Sequence, residues 1–184
     1  MTAVAASLIS WLERFRRDRR GVSALEFAIT LPLMLTLYLG TAEVTNGVSV
    51  KRKVTLTAHA LADLASQYTA IDGTEMANIL NAGSAIVAPY AAADLHETVS
   101  ELSVDSQGQA TVVWSSTLNG QALATGQGVS IPSGLAVPNT YLIFGQASYS
   151  YNPTFGYVLT QTLTLSDQFF LRPRQSDSVT YSGP

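Results

Sequence analysis

Residues 21–42 read GVSALEFAITLPLMLTLYLGTA, an apolar run with a single charged side chain, Glu26. As a helix these 22 residues rise about 33 Å, close to the ~30 Å hydrocarbon thickness of a bilayer, so the length predicts one crossing. Without Glu26 the charge-free run, residues 27–42, has 16 residues and falls short of the roughly 20 that a span needs. The carboxylate therefore lies inside the membrane or at its edge. An ionisable group there costs a few kcal/mol and calls for a cation. If the chain were cut after Gly21, the new amino group at Val22 would lie one helical turn before Glu26 on the same face. Glu26 would then have a partner, in its own chain or in a neighbouring one.

Five arginines, Arg14, Arg16, Arg17, Arg19 and Arg20, stand just ahead of the apolar run, and residues 1–21 hold only two acidic residues against them. The remainder carries five basic and eleven acidic residues. By the positive-inside bias the arginine cluster keeps the leader cytoplasmic and sends the body across. Lys51, Arg52 and Lys53 on the far side oppose this, but three cations against five still favour an inside N-terminus. From Asp72 onward there are eight acidic and two basic residues, which argues against a phosphate-tracking nucleic-acid surface. Only 12% of the chain is charged, against roughly 25% in ordinary soluble domains. Such a surface fits contact with other subunits, and equally a small polar domain rich in Ser, Thr, Gln and Asn. With no cysteine, disulfides, thiolate chemistry and cysteine zinc sites are excluded. A cleaved secretory signal fits the N-terminus poorly, because the span is long and holds Pro32 and Glu26, although Gly40-Thr41-Ala42 could serve as a small-x-small site. A twin-arginine signal fits worse, since Asp18 and Gly21 follow the arginine pairs.

Helical spacing continues beyond the span. Val54, Ala58, Leu61, Ala65 and Tyr68 recur every three or four residues, which predicts one rod over residues 22–68 that rises about 70 Å and packs its latter half on the body. Residues 1–13 are expected to form a short amphipathic helix at the cytoplasmic face. Asp72-Gly73 breaks the rod, and a second helix follows with Thr74 as cap, Met76, Ile79, Leu80, Ile86 and Val87 as apolar face and Pro89 as stop. TVSELSVD and QATVVWSSTL flank a turn at residues 105–108 and predict a hairpin. About 20 residues rich in Gly, Ser, Thr and Pro then read as a long loop, usually a functional or interaction surface. Two further strands follow, YLIFGQASYSYNP and YVLTQTLTLSDQFFL. In the second, Val158, Thr160, Thr162 and Thr164 alternate with Leu159, Leu163 and Leu165.

Gly21, a hydrophobic residue, then Glu26 and Phe27 opening an apolar helix behind a basic leader resemble the processing site of type IV prepilins. The stretch RRGVSALEFAITLPLMLTLYLG is most similar to TadE-like pseudopilins of the tight-adherence (Tad/Flp) pilus system, and the aromatic ASYSYNP strand and LRPR tail extend the likeness to about Val179. The resemblance implies cleavage between Gly21 and Val22 by a prepilin peptidase, and an assembly role for Glu26 with Phe27. It further implies other Tad pilins and pseudopilins, the peptidase and the inner membrane as partners.

Other chemistry finds little support. His59 and His96 are the only histidines; His59 and Asp63, four apart, read as a surface hydrogen bond rather than a metal couple. Neither HExxH, GxSxG nor a phosphate-binding glycine loop occurs. Asp94, Glu97 and Glu101 read as a solvated connection. Trp114, Tyr149, Tyr151, Phe155 and Tyr157 read as packing residues, with a sugar-binding surface as the rival. Arg172 and Arg174 either meet an acidic partner groove or keep the tail soluble.

The expected chain is thus α+β. A basic cytoplasmic leader (1–21) precedes a transmembrane and stalk helix (22–69) and a periplasmic domain (70–184), in which a second helix packs on an antiparallel sheet of about four strands. The expected protein is a single-pass inner-membrane pilus subunit, incorporated into a pilus or its base, with no cofactor, no metal and no enzyme activity. The alternative is an unprocessed, signal-anchored domain that binds a carbohydrate or surface ligand.

Overall fold

The structure is a computed structural model and describes residues 20–153, 156 and 161–183. The expected leader helix and Arg14, Arg16, Arg17 and Arg19 lie outside the described residues, as do Phe155, Tyr157, Val158, Leu159 and Thr160.

Helix α1, Arg20–Ser66, is the expected rod: 47 residues without interruption, with Pro32 inside it. Its two halves differ. Every residue from 21 to 38 is exposed, whereas Val50, Val54, Ala58, Leu61, Ala62 and Ala65 in the second half are fully buried. The threonines of the bare half return their hydroxyls to carbonyls one turn back: Thr36 donates to Pro32 and Thr41 to Leu37, each at 2.8 Å, and Thr30 donates to Glu26. Few hydroxyls are thereby left open to an apolar surround.

Strand β1, Ala70–Asp72, leads into α2, Gly73–Val87. Asp72, not Thr74, caps α2. Its carboxylate accepts from the Glu75 N–H at 2.7 Å while Glu75 accepts from the Asp72 N–H at 2.8 Å, a reciprocal capping box. Met76, Ile79, Leu80 and Val87 form the buried face as expected, with Gly83 among them and Ile86 half-buried. At the other end, Lys53 of α1 donates to the carbonyls of Ile86 and Ala88 at 2.9 and 2.6 Å, placing a cation where the helix dipole favours one.

The expected hairpin is β2, Leu95–Val104, with β3, Ala110–Leu118. Strands β5, Thr140–Tyr151, and β6, Leu163–Leu171, complete the antiparallel sheet together with a short strand inside the expected loop: β4, Gly128–Val129. The sheet therefore has five strands rather than about four, in the order β4-β3-β2-β5-β6. A second, two-stranded parallel sheet joins β1 to β7, Thr180–Ser182, at the C-terminal end. One face of the large sheet packs on α1 and α2. The loop of residues 119–139 folds Leu123, Val129, Ile131 and Leu135 against part of the other face, over Leu102, Val104, Leu142 and Phe144. That loop is thus a cover for a second small core.

Helix α1 meets the sheet at Gly145 on β5. A Cβ there would stand 2.4 Å from the Ala58 carbonyl oxygen and 2.9 Å from the Ala62 nitrogen, so only glycine lets the helix lie this close. Gly145→Ala should destabilise the body by about 1–3 kcal/mol, the usual cost of overpacking a tight core, seen as a lower midpoint of thermal unfolding of the detergent-solubilised chain. An unchanged midpoint would contradict the packing described.

Candidate functional site

The bare half of α1 carries most of the large exposed apolar side chains of the described chain. Val22, Leu25, Phe27, Ile29, Leu33, Met34, Leu37 and Tyr38 are each at least half exposed. The 18 exposed residues from 21 to 38 rise about 27 Å, and this is the one described helix long and apolar enough to cross a membrane. Arg20 opens the helix. Gly21, Val22, Glu26 and Phe27 follow in its first two turns, all exposed, and a side chain added at Gly21 would meet nothing within 4 Å. Val22 and Glu26 stand one turn apart on one face. Glu26 forms no ion pair with a described residue.

The helix enters the body at Gly40, and three buried carboxylates lie along the junction between helix and sheet: Glu43, Glu97 and Glu101. Glu43 accepts from the Gly156 N–H at 2.6 Å, and its backbone carbonyl accepts from the Tyr151 hydroxyl at 3.4 Å. Glu97 and Glu101 are not the solvated connection that their spacing in sequence suggests. They alternate on β2 with Leu95 and Val99, and so share the face that packs on the helices. Glu101 is satisfied there, accepting from Trp114 Nε1 at 3.1 Å and from the Val179 N–H at 2.5 Å; burial raises its pKa and these two bonds oppose the rise. Glu101 thereby fastens the C-terminal tail to the sheet.

Glu97 is held less completely. Ser84 donates to Oε2 at 3.4 Å, and Oε1 has no partner among the described residues and lies where a Gly83 side chain would be, 2.0 Å from the Cβ position. Burial pushes its pKa from 4.5 to about 7, against the Ser84 hydrogen bond.

Other residues singled out in the sequence have structural partners. His59 and Asp63 do not bond to each other: the His59 ring meets Phe169 edge-on at 4.4 Å, while Asp63 pairs with Arg174 and accepts from Gln67 at 2.9 Å. Arg174 also caps α1, its N–H donating to the Ser66 carbonyl at 2.9 Å, so this arginine does more than keep the tail soluble. Lys51 bridges to Asp167 at 3.0 Å and to the Ser166 carbonyl at 2.6 Å. Asp167 is held below the usual carboxylate range, first by the Thr55 hydroxyl at 2.5 Å and then by Lys51. Trp114, Tyr149 and Tyr151 pack into the core.

This long helix, bare at its start and buried at its end, coincides with a family match: residues 21–63 match the model for TadE-like proteins. The chain carries a TadE-like domain. The match begins at Gly21, covers the bare half of α1 and runs to Asp63 in its buried half. TadE-like pilus proteins are structural components, not enzymes, and the domain associates the chain with the Tad pilus. The long apolar helix of the TadE-like domain is consistent with membrane anchoring. No curated protein and no solved structure matches the chain.

Because the folded chain holds the Glu97 proton more tightly than the unfolded chain, this stabilising proton is fully in place below pH 4.5 and its contribution is lost as pH rises to about 7. Glu97→Gln keeps the shape without the charge. It should raise stability at pH 8 by about 1–3 kcal/mol and change it little at pH 4.5, read from thermal unfolding at the two pH values. An equal effect at both would contradict a buried, proton-holding carboxyl.

Proposed function

We propose that the chain is a structural subunit, a minor pilin or pseudopilin, of a Tad/Flp type IV pilus. It crosses the bacterial inner membrane once, with the arginine leader in the cytoplasm and the body of residues 70–184 in the periplasm. A prepilin peptidase cuts between Gly21 and Val22, and the new amino group neutralises Glu26 while Phe27 and the apolar residues around it pack against other Tad pilins and pseudopilins. The subunit then enters the pilus or its base.

The observation that carries this reading is the continuity of α1. A bare apolar segment of membrane length passes without a break into a segment clamped in the body's core, so lateral packing of the first half carries the body with it. The match over residues 21–63 starts at the proposed cleavage site. Glu26 supports the reading as well: alone in an apolar span, it is costly unless an amine or another cation is brought to it. The rival reading, an anchored sugar-binding domain, loses Trp114, Tyr149 and Tyr151 as an aromatic platform, because they are engaged in the core.

Glu26→Ala should leave membrane insertion intact, judged by carbonate-resistant fractionation, and reduce piliation at least tenfold in sheared-pilus yield. Normal piliation by this variant would remove Glu26 from assembly.

A further inference from the structure

Tyrosines gather where α1 leaves its bare half. Tyr90 and Tyr149 meet edge to face with ring centroids 6.4 Å apart, and Tyr151 reaches the backbone at Glu43. Beside them opens a cavity of about 190 Å³, with Asn46, Asp94, Ser150 and Asn152 completing its lining. Its electrostatics favour a cation. Asp94 is exposed and accepts a hydrogen bond from the Tyr149 hydroxyl; burial first and then that carboxylate raise the Tyr149 pKa, and burial followed by Glu43 does the same at Tyr151. No described cation lines the cavity. Lys51 and Lys53 on the same helix are bound to Asp167 and to the end of α2, and Arg52 borders a different cavity with Val44, Thr45 and Val48.

Height along α1 narrows the choice of ligand. Asn46 stands four residues past Ala42, where the apolar run ends, and so about 6 Å beyond the hydrocarbon edge. The headgroup layer on each side of a bilayer is roughly 5–7 Å thick. The cavity therefore opens among lipid headgroups, at the depth where tyrosines concentrate in membrane proteins. A primary ammonium suits it: three N–H donors for the Asp94 carboxylate and the side-chain oxygens of Asn46 and Asn152, and a positive charge for the partly exposed ring of Tyr90.

We propose that this cavity binds the primary ammonium of an ethanolamine headgroup from the surrounding bilayer, with Asp94 as its counter-ion and Tyr90 as its aromatic wall. The site rests on the membrane-anchored reading of α1. Bound there, a lipid fixes how deep the helix sits and at what angle the body stands on the membrane.

The test is lipid retention by the full chain in nanodiscs made of equal parts phosphatidylethanolamine and phosphatidylglycerol. Retained lipid is read by native mass spectrometry after release from the disc. The unsubstituted chain should hold phosphatidylethanolamine several-fold above the bulk ratio. Asp94→Asn and Tyr90→Leu should each return retention to that ratio, and Gln168→Ala, on the opposite face of the sheet, should not. Replacing phosphatidylethanolamine with phosphatidylcholine should lower retention, since its quaternary head donates no hydrogen bond. Millimolar soluble ethanolamine should leave retention largely unchanged if the site needs the lipid; full displacement by it would assign the cavity to a free amine and overturn the lipid source. Bulk-ratio retention by the unsubstituted chain, or enrichment that survives in both Asp94→Asn and Tyr90→Leu, overturns the site. A chain that enters no nanodisc overturns the anchored reading as well, which separates the two failures.

Discussion

The contact between α1 and the backbone of β5 at Gly145 sets the geometry of the rest of the molecule. The helix lies against the sheet at a distance that admits no side chain on β5, and Ala58 and Ala62 provide the matching small surface on the helix. With the second half of α1 held rigidly, its first half projects as a direct extension of the body's core. The same contact lets α2 pack alongside, with Lys53 closing its C-terminal end. Any force applied to the bare half is transmitted to the body through this packed segment rather than through a linker.

The junction also concentrates carboxylates in an interior that has few cations to offer them. Glu101 is resolved by hydrogen bonding, with the Trp114 indole and the Val179 amide as donors, and thereby fixes the tail whose next residues form β7. Glu97 instead holds its proton more tightly, its pKa pushed up to about 7, since burial opposes its charge and one of its oxygens has no donor among the described residues. Glu26 is the opposite case. It is exposed on the bare helix, and its cost arises only when the helix is surrounded by lipid or by other helices. Two different answers to a buried charge thus stabilise the body, and a third, an incoming cation, remains to be supplied at the helix that would carry assembly.

The sequence was most legible where periodicity was long. The rod was expected over residues 22–68 and runs Arg20–Ser66, because the spacing from Val54 to Ala65 continues an apolar run that had no reason to end at the membrane surface. The hairpin of β2 and β3 was clear from its turn. The cap of α2 was misread, although DGTE has an acid three residues before a glutamate, the signature of the box that Asp72 and Glu75 form. The burial of Glu97 and Glu101 was hidden because carboxylates read as solvent-facing; the available signal was their period-two placement with Leu95 and Val99. Strands β4, β1 and β7 are two or three residues long and carry no local pattern, and β1 with β7 exist only because the tail returns to the end of α1. Glu26 stands out in the sequence for another reason: one charge in an apolar run is conspicuous whatever fold follows.

The account turns on whether the chain is cut where the bare helix begins. The direct measurement is the N-terminal residue of the mature protein, by mass spectrometry of membranes and of sheared pili. The account predicts Val22 in both fractions, one turn from Glu26. A terminus at or near Met1 in assembled pili would contradict it, and a terminus near Glu43 would mean that the apolar run is a removed signal rather than an assembly helix.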